Sequence, residues 1–450
     1  MKTKILPTLI LTLVLGLPRI SAGVLRPQRS ALNNGLILLT SEQRSLPMVS
    51  IELLIQAGAR YDPPQQAGLA NLTTRLLTYG TQSRSALQIS ETLDFLGANL
   101  STRCGIDLAS ISLTILKKDL TAGLELLADL LTGAAFPEQE INRQKEAVIA
   151  SIKAKEENPG AVAQKAFLAS LYPDSPFGQP AEGTEESVKT IPRASLTEFY
   201  RRYFRPNRAI LAVVGDISHQ EMVQMLDKAF ASWHQGEAPQ QAPLAQAHPS
   251  GQVLRVNKEL AQANIILGHR GVERNNPDYY ALQIMNYILG GGGFSSRVMD
   301  SIRNKRGLAY SVYSFFDADK DHGTFEFVMQ TRNESAWEAI RIAKDEIRRI
   351  RQQPVSEQEL DDAKRYLTGS FPLRLDTNDK VAGFLAHVEF FHLGLDYPSR
   401  YQGLIEKVTR EDVFRVAKEY LHPEHLITVV VGDQQKIGGK QPGDCSSGEC

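Results

Sequence analysis

Val49, Ile51, Leu53 and Ile55 place an apolar residue at every second position, the period of two that a half-buried β-strand requires. Much later, Phe325, Phe327 and Met329 alternate in the same way, which predicts a strand of a second sheet. Ala122 to Leu131 and Ala336 to Arg351 carry long helical patterns instead, as amphipathic helices against those sheets would. Strands and helices cluster in each stretch, so the predicted class is α+β, with mostly antiparallel sheets carrying helices on one face.

The pattern occurs twice. Ile191 to Asp216 matches Val408 to Asp433, pairing Tyr203 with Tyr420, Pro206 with Pro423 and Gly215 with Gly432 at a common offset of 217 (420 − 203). Glu138-Gln139-Glu140 answers Glu357-Gln358-Glu359 at nearly the same distance. Each copy reads as a helix, a Pro-containing turn and a buried strand closed by Gly-Asp. Two homologous repeats, residues 30–234 and 252–434, are therefore predicted. The Gln-, Ala- and Pro-rich stretch 235–251 joins them as a linker, because it cannot pack a core.

With 450 residues, 42% of them hydrophobic, the chain can bury more than one core. A net charge of -1 sets up no general field for nucleic acid or anionic lipid, so neither is expected as a partner. Lys2 and Lys4 precede the apolar stretch Ile5 to Leu17, and small residues follow to Ala22, a pattern that reads as a signal peptide over 1–22. The expected location is periplasmic or secreted. A mitochondrial transit peptide is the alternative, since Arg19, Arg26 and Arg29 all come before the first acidic residue, Glu42. Beyond the signal, no apolar run reaches the ~18 residues of a membrane span. Cys104, Cys445 and Cys450 suggest neither a disulfide framework nor a zinc knuckle, and 435–450 reads as a polar tail.

The segment GARYDPPQQAGLANLTTRLLTYGT, Gly58 to Thr81, resembles the opening signature of the insulinase/pitrilysin zinc peptidases. The resemblance extends from about Asn34 to Asp433 and implies two repeats closing into a clam-like chamber. In active members of that family a helix carries His-x-x-Glu-His, with two zinc-binding His and a Glu as general base. Here the matching positions are Asn71, Leu72, Thr73, Thr74 and Arg75, and the position implied for the third ligand is Ser151. The first His in the chain is His219, so no shift of register restores the motif. No metal is therefore expected in this chain. The second near-motif, His422-Pro423-Glu424-His425, falls at a turn and reads as a loop.

The second repeat keeps two features. Gly290, Gly291, Gly292 and Gly293 follow the predicted helix Tyr279 to Leu289; they read either as a helix end and turn or as backbone open to an extended peptide. Arg303 and Tyr310, seven apart, resemble the Arg and Tyr pair with which family members hold substrate and oxyanion. On the strand after Gly307, alternation puts Tyr310 with Val312 and Ser314, and Tyr313 on the other side. The resemblance thus implies a zinc-free, substrate-binding subunit of a heterodimeric metalloendopeptidase, inactive alone. A homologous His-x-x-Glu-His partner would bring the zinc. A non-catalytic peptide-binding or scaffold protein of the same fold is the alternative.

Overall fold

The computed structural model describes residues 25–237, 251–321 and 323–438. The predicted signal peptide, most of the predicted linker, and Cys445 and Cys450 lie outside the described residues. The first half contributes β1 (Gln28–Ala31), β2 (Ile37–Glu42), β3 (Met48–Ile55), β4 (Asn99–Cys104), β5 (Ala109–Leu116) and β6 (Ala209–Gly215). The second contributes β7 (Val253–Asn257), β8 (Gln262–Arg270), β9 (Ala309–Ala318), β10 (Gly323–Arg332) and β11 (Ile427–Gly432). The sheet orders are β1-β2-β6-β3-β5-β4 and β7-β11-β8-β10-β9.

Leaving out β1, the two orders are the same topology read twice. β6 and β11, which end at Gly215 and Gly432, occupy equivalent places. Both sheets are mixed: β2 runs parallel to β6 and β7 parallel to β11, while the other pairs are antiparallel. The 217-residue offset is thus a structural duplication, and the class is α+β as predicted. The helical expectations also hold, with helices at Leu120–Gly133 and Ala336–Gln352.

The packing differs from expectation in one respect: each sheet is covered on both faces. Val49, Ile51, Leu53 and Ile55 of β3 pack on helices of their own half, including Leu69, Leu72 and Leu76. On the other face, Leu54 joins Leu39, Ala212 and Val214 against Val381, Ala382, Leu385 and Ala386, which lie on the Asn378–Phe390 helix of the second half. The exchange is reciprocal. The Pro159–Leu171 helix of the first half sets Ala163, Phe167 and Leu171 against Ile266, Ile427, Val429 and Val431 of the second sheet. Alternation along one strand shows which positions are buried, and both sets here are, because a helix comes from the far half.

Polar contacts reinforce this exchange. The Tyr172 hydroxyl donates to the Gly323 carbonyl at 2.8 Å, and Arg60, itself buried, pairs with Asp107 of its own half at 2.5 Å and Asp321 of the other at 2.7 Å. The end of the chain also departs from expectation, since Gln434–Ile437 forms a short helix capped by Asp433, with Ile437 buried. Residues 435–437 therefore belong to the folded body. Among the described residues, no helix is long and apolar enough to cross a membrane.

Candidate functional site

β3 leads through a short 3-10 turn, Ala59–Tyr61, into the helix Leu69–Leu76 that carries the motif positions. The Asp62 carboxylate accepts from the backbone N–H groups of Gly68 and Ala70, both at 2.8 Å, and so caps the helix start. Burial pushes this carboxyl up to about 7 against the pull of those hydrogen bonds. Asn71 is half-buried, Thr73 and Thr74 are fully buried, and Arg75 is exposed. Thr73 donates its hydroxyl to the Leu69 carbonyl at 2.7 Å, and Thr74 to that of Ala70 at 2.8 Å. Both side chains are turned back onto their own helix.

Arg75 reaches the helix Glu138–Glu156, donating to the Gln144 side-chain oxygen at 3.2 Å. Ser151 lies exposed on that helix two turns further on. The structure thus brings together the two helices that bear the five motif positions and Ser151, but the contact it records is Arg75 to Gln144. This donor set does not fit zinc: two hydroxyls already committed, one amide, one permanent cation and a solvent-facing serine offer no imidazole or carboxylate. Among the described residues, no group of three His, Cys, Asp or Glu side chains is placed to hold a metal ion. Gln144 was missed, yet it is legible as the polar member of the stripe Ile141, Gln144, Val148, Ile152, all four of them buried.

In the second half, the helix Tyr279–Asn286 widens into a π-helical turn, Tyr287–Gly291, instead of running on as an α-helix to Leu289. Gly290 is where this turn meets β9, since a Cβ there would lie 2.4 Å from the Ser314 hydroxyl. Asn286 closes the same contact, donating to the Ser314 carbonyl at 3.1 Å and accepting from its hydroxyl at 2.7 Å. Gly290 therefore serves helix-to-strand approach. Gly291 and Gly293 are exposed, and Gly293 has a left-handed φ of 58°. Arg297 anchors the segment by donating to both Glu359 oxygens, at 2.6 and 2.9 Å. Although burial opposes it, this pairing with help from Ser356 holds the Glu359 carboxyl down at about 2.

Arg303 and Tyr310 lie side by side. The Arg303 guanidinium carbon lies 5.3 Å from the Tyr310 ring centre and 5.1 Å from that of Phe294, within cation–π range of both. Tyr310 and Phe294 are each 73% exposed. The facing of Tyr310 departs from simple alternation. Gln330 pairs with Ser311 and Thr331 with Ala309, leaving Tyr310 as the extra residue of a β-bulge. The bulge breaks the period of two, so Val312 and Ser314 are buried while Tyr310 and Tyr313 are both exposed. Phe294 lay in the glycine-rich stretch without a predicted role. Its exposure, which no apolar pattern in a loop reveals, is what singles it out.

The near-motif at 422–425 is a turn before β11, as expected, but His422 also serves the fold, because its backbone N–H donates to the buried His269 ring at 3.3 Å.

Known proteins share this architecture. Residues 38–185 match the family model for insulinase, peptidase family M16, and residues 190–367 match the model for the peptidase M16 inactive domain. An uncharacterized zinc protease of Streptomyces coelicolor is 27% identical over 414 residues, which is 91% of this chain and 90% of that protein. One of Bacillus subtilis is 27% identical over 357 residues, 79% of this chain and 86% of its own. The crystal structure of a peptidase M16 inactive domain from Pseudomonas fluorescens superposes with a TM-score of 0.86 at 28% identity, covering 91% of this chain and 98% of that one. A protease from Helicobacter pylori shares the fold at 20% identity, with a TM-score of 0.83. With models of both domain types matched in sequence over most of its length, the chain belongs to the insulinase, or M16, peptidase family.

Proposed function

We propose that this chain is the zinc-free, substrate-binding subunit of a heterodimeric metalloendopeptidase, inactive alone and completed by a homologous chain bearing His-x-x-Glu-His. The observation that carries the reading is a contrast within one molecule. Its motif helix has every polar side chain unsuited to zinc or already engaged, whereas a half-buried Arg303 and an exposed Tyr310 stand together in the other half. Arg303 would hold a polar group of the peptide, and the Tyr310 O–H would donate to the oxygen on which charge develops. Metal and general base would come from the partner.

Each sheet ends in an edge strand, β4 in the first and β9 in the second, so an extended peptide has main-chain groups to pair with between halves closing as a chamber. The Pseudomonas fluorescens neighbour is described as an inactive domain, while the curated relatives are called zinc proteases. A pair that divides the site between two chains accommodates both descriptions. The signal-like pattern of the N-terminal sequence supports a periplasmic or secreted setting, with the mitochondrion as the alternative. The test is to assay peptide cleavage by the purified chain alone, by a homologous His-x-x-Glu-His chain from the same organism, and by the two mixed. Activity that requires the mixture supports the proposal. Cleavage by this chain alone, with bound zinc, overturns it, and a mixture no better than its parts leaves a peptide-binding or scaffold role.

A further inference from the structure

We infer that Phe294, Arg303 and Tyr310 form a carboxylate receptor, which takes the C-terminal group or an Asp or Glu side chain of the bound peptide, with Phe294 positioning Arg303. The inference rests on the peptide-binding reading above and specifies what that site recognises.

The first argument is charge. Four cations lie close together in sequence here, and three are committed. Arg297 is held by Glu359, Lys305 pairs with Asp300 at 2.6 Å, and Arg306 donates to the Ser301 carbonyl at 2.6 Å. Arg303 is half-buried and, among the described residues, makes neither an ion pair nor a hydrogen bond. A cation that has lost part of its water without gaining a counter-ion favours an anionic ligand over a neutral one, because charge-assisted hydrogen bonds are the stronger kind.

Shape is the second argument. The two rings that approach Arg303 present π surface to it, so its planar fork of N–H donors is left for a ligand. A carboxylate offers two coplanar oxygens that match two of those donors, whereas a peptide carbonyl offers one. The rings also restrict the long Arg303 side chain before a ligand arrives, which lowers the entropy lost on binding. Phe294 contributes nothing evident to the core. Its ring is exposed, it belongs to no buried cluster, and the contact recorded for it is with Arg303.

The test measures fluorescence anisotropy with the purified full chain and three short dye-labelled peptides of one sequence. One has a free C-terminal carboxylate, one is amidated, and one is amidated but carries an internal Glu. At least one acidic peptide is expected to bind roughly tenfold or more tightly than the neutral one. Which acidic peptide it is tells whether the C-terminus or a side chain supplies the group. Arg303→Gln should erase the difference, Phe294→Ala should shrink it, and Phe294→Tyr should restore it. Equal binding of all three peptides, weakened alike by Arg303→Gln, overturns the carboxylate receptor and leaves the peptide-binding reading standing. If no peptide binds, or Arg303→Gln changes nothing, the peptide-binding reading fails as well. Discrimination that survives Phe294→Ala removes the positioning role of that ring.

Discussion

Arg303 holds its guanidinium carbon 5.3 Å from the ring centre of Tyr310, and the hydroxyl on that ring makes no hydrogen bond among the described residues. A group left so exposed contributes little to folding. Tyr310→Phe is therefore predicted to leave the unfolding free energy within ~0.5 kcal/mol of the parent. In the proposed two-chain enzyme, the same change should lower kcat by roughly 10²–10³-fold, as loss of one oxyanion donor does. Thermal melts of the chain and turnover of the pair check both halves of the statement, and unchanged turnover would remove Tyr310 from the chemistry.

Phe167 of the first half sits against Gly268 of the second, where a Cβ would come within 2.5 Å of the ring. Overpacking here makes Gly268→Ala destabilising by about 1–3 kcal/mol, and the cavity left by Phe167→Ala costs about 3–5 kcal/mol. Since each sheet is covered by a helix of the other half, the wild-type halves should unfold in a single urea transition. Two separate transitions would show that the exchanged helices do not couple them.

His269, near the end of β8, gives the second half a pH response through its contacts with Phe325 and His422. Its Nδ1 lies 2.7 Å from the Arg270 carbonyl and its Nε2 accepts the His422 N–H, an arrangement that requires the neutral ring. Burial, aided by His422 and His425, holds its pKa down at about 4, below the ordinary 6.5. A depressed folded pKa means that the stabilisation is complete above pH 6.5 and is lost as the pH falls through 4. His269→Phe should cost about 1–3 kcal/mol at neutral pH by stranding the His422 N–H. The gap between the two unfolding free energies should then narrow from pH 6.5 down to 4, and a gap constant over that range would contradict the assignment.

The duplication was legible in the sequence because its markers, from Tyr203 and Tyr420 at helix ends to Gly215 and Gly432 at strand ends, sit where elements begin or stop and few residue types serve. The loss of the metal motif was legible too, since no His precedes His219. The helix exchange was not: the spacing of Phe167 or Leu385 shows that a face is buried but not which sheet buries it. Likewise, the bulge at Tyr310 depends on how β9 and β10 pair, which no period within one strand encodes. The contact between Arg75 and Gln144 joins residues far apart in the chain, and only the polar break in an apolar stripe hinted at it.

The central claim, that this chain completes a site whose metal lies in another chain, is tested most directly by gentle purification of the tagged protein from its native source, followed by mass spectrometry of whatever copurifies in stoichiometric amount. The account predicts a homologous partner carrying His-x-x-Glu-His, with zinc following that partner. Recovery of this chain alone, or with unrelated proteins, would contradict it.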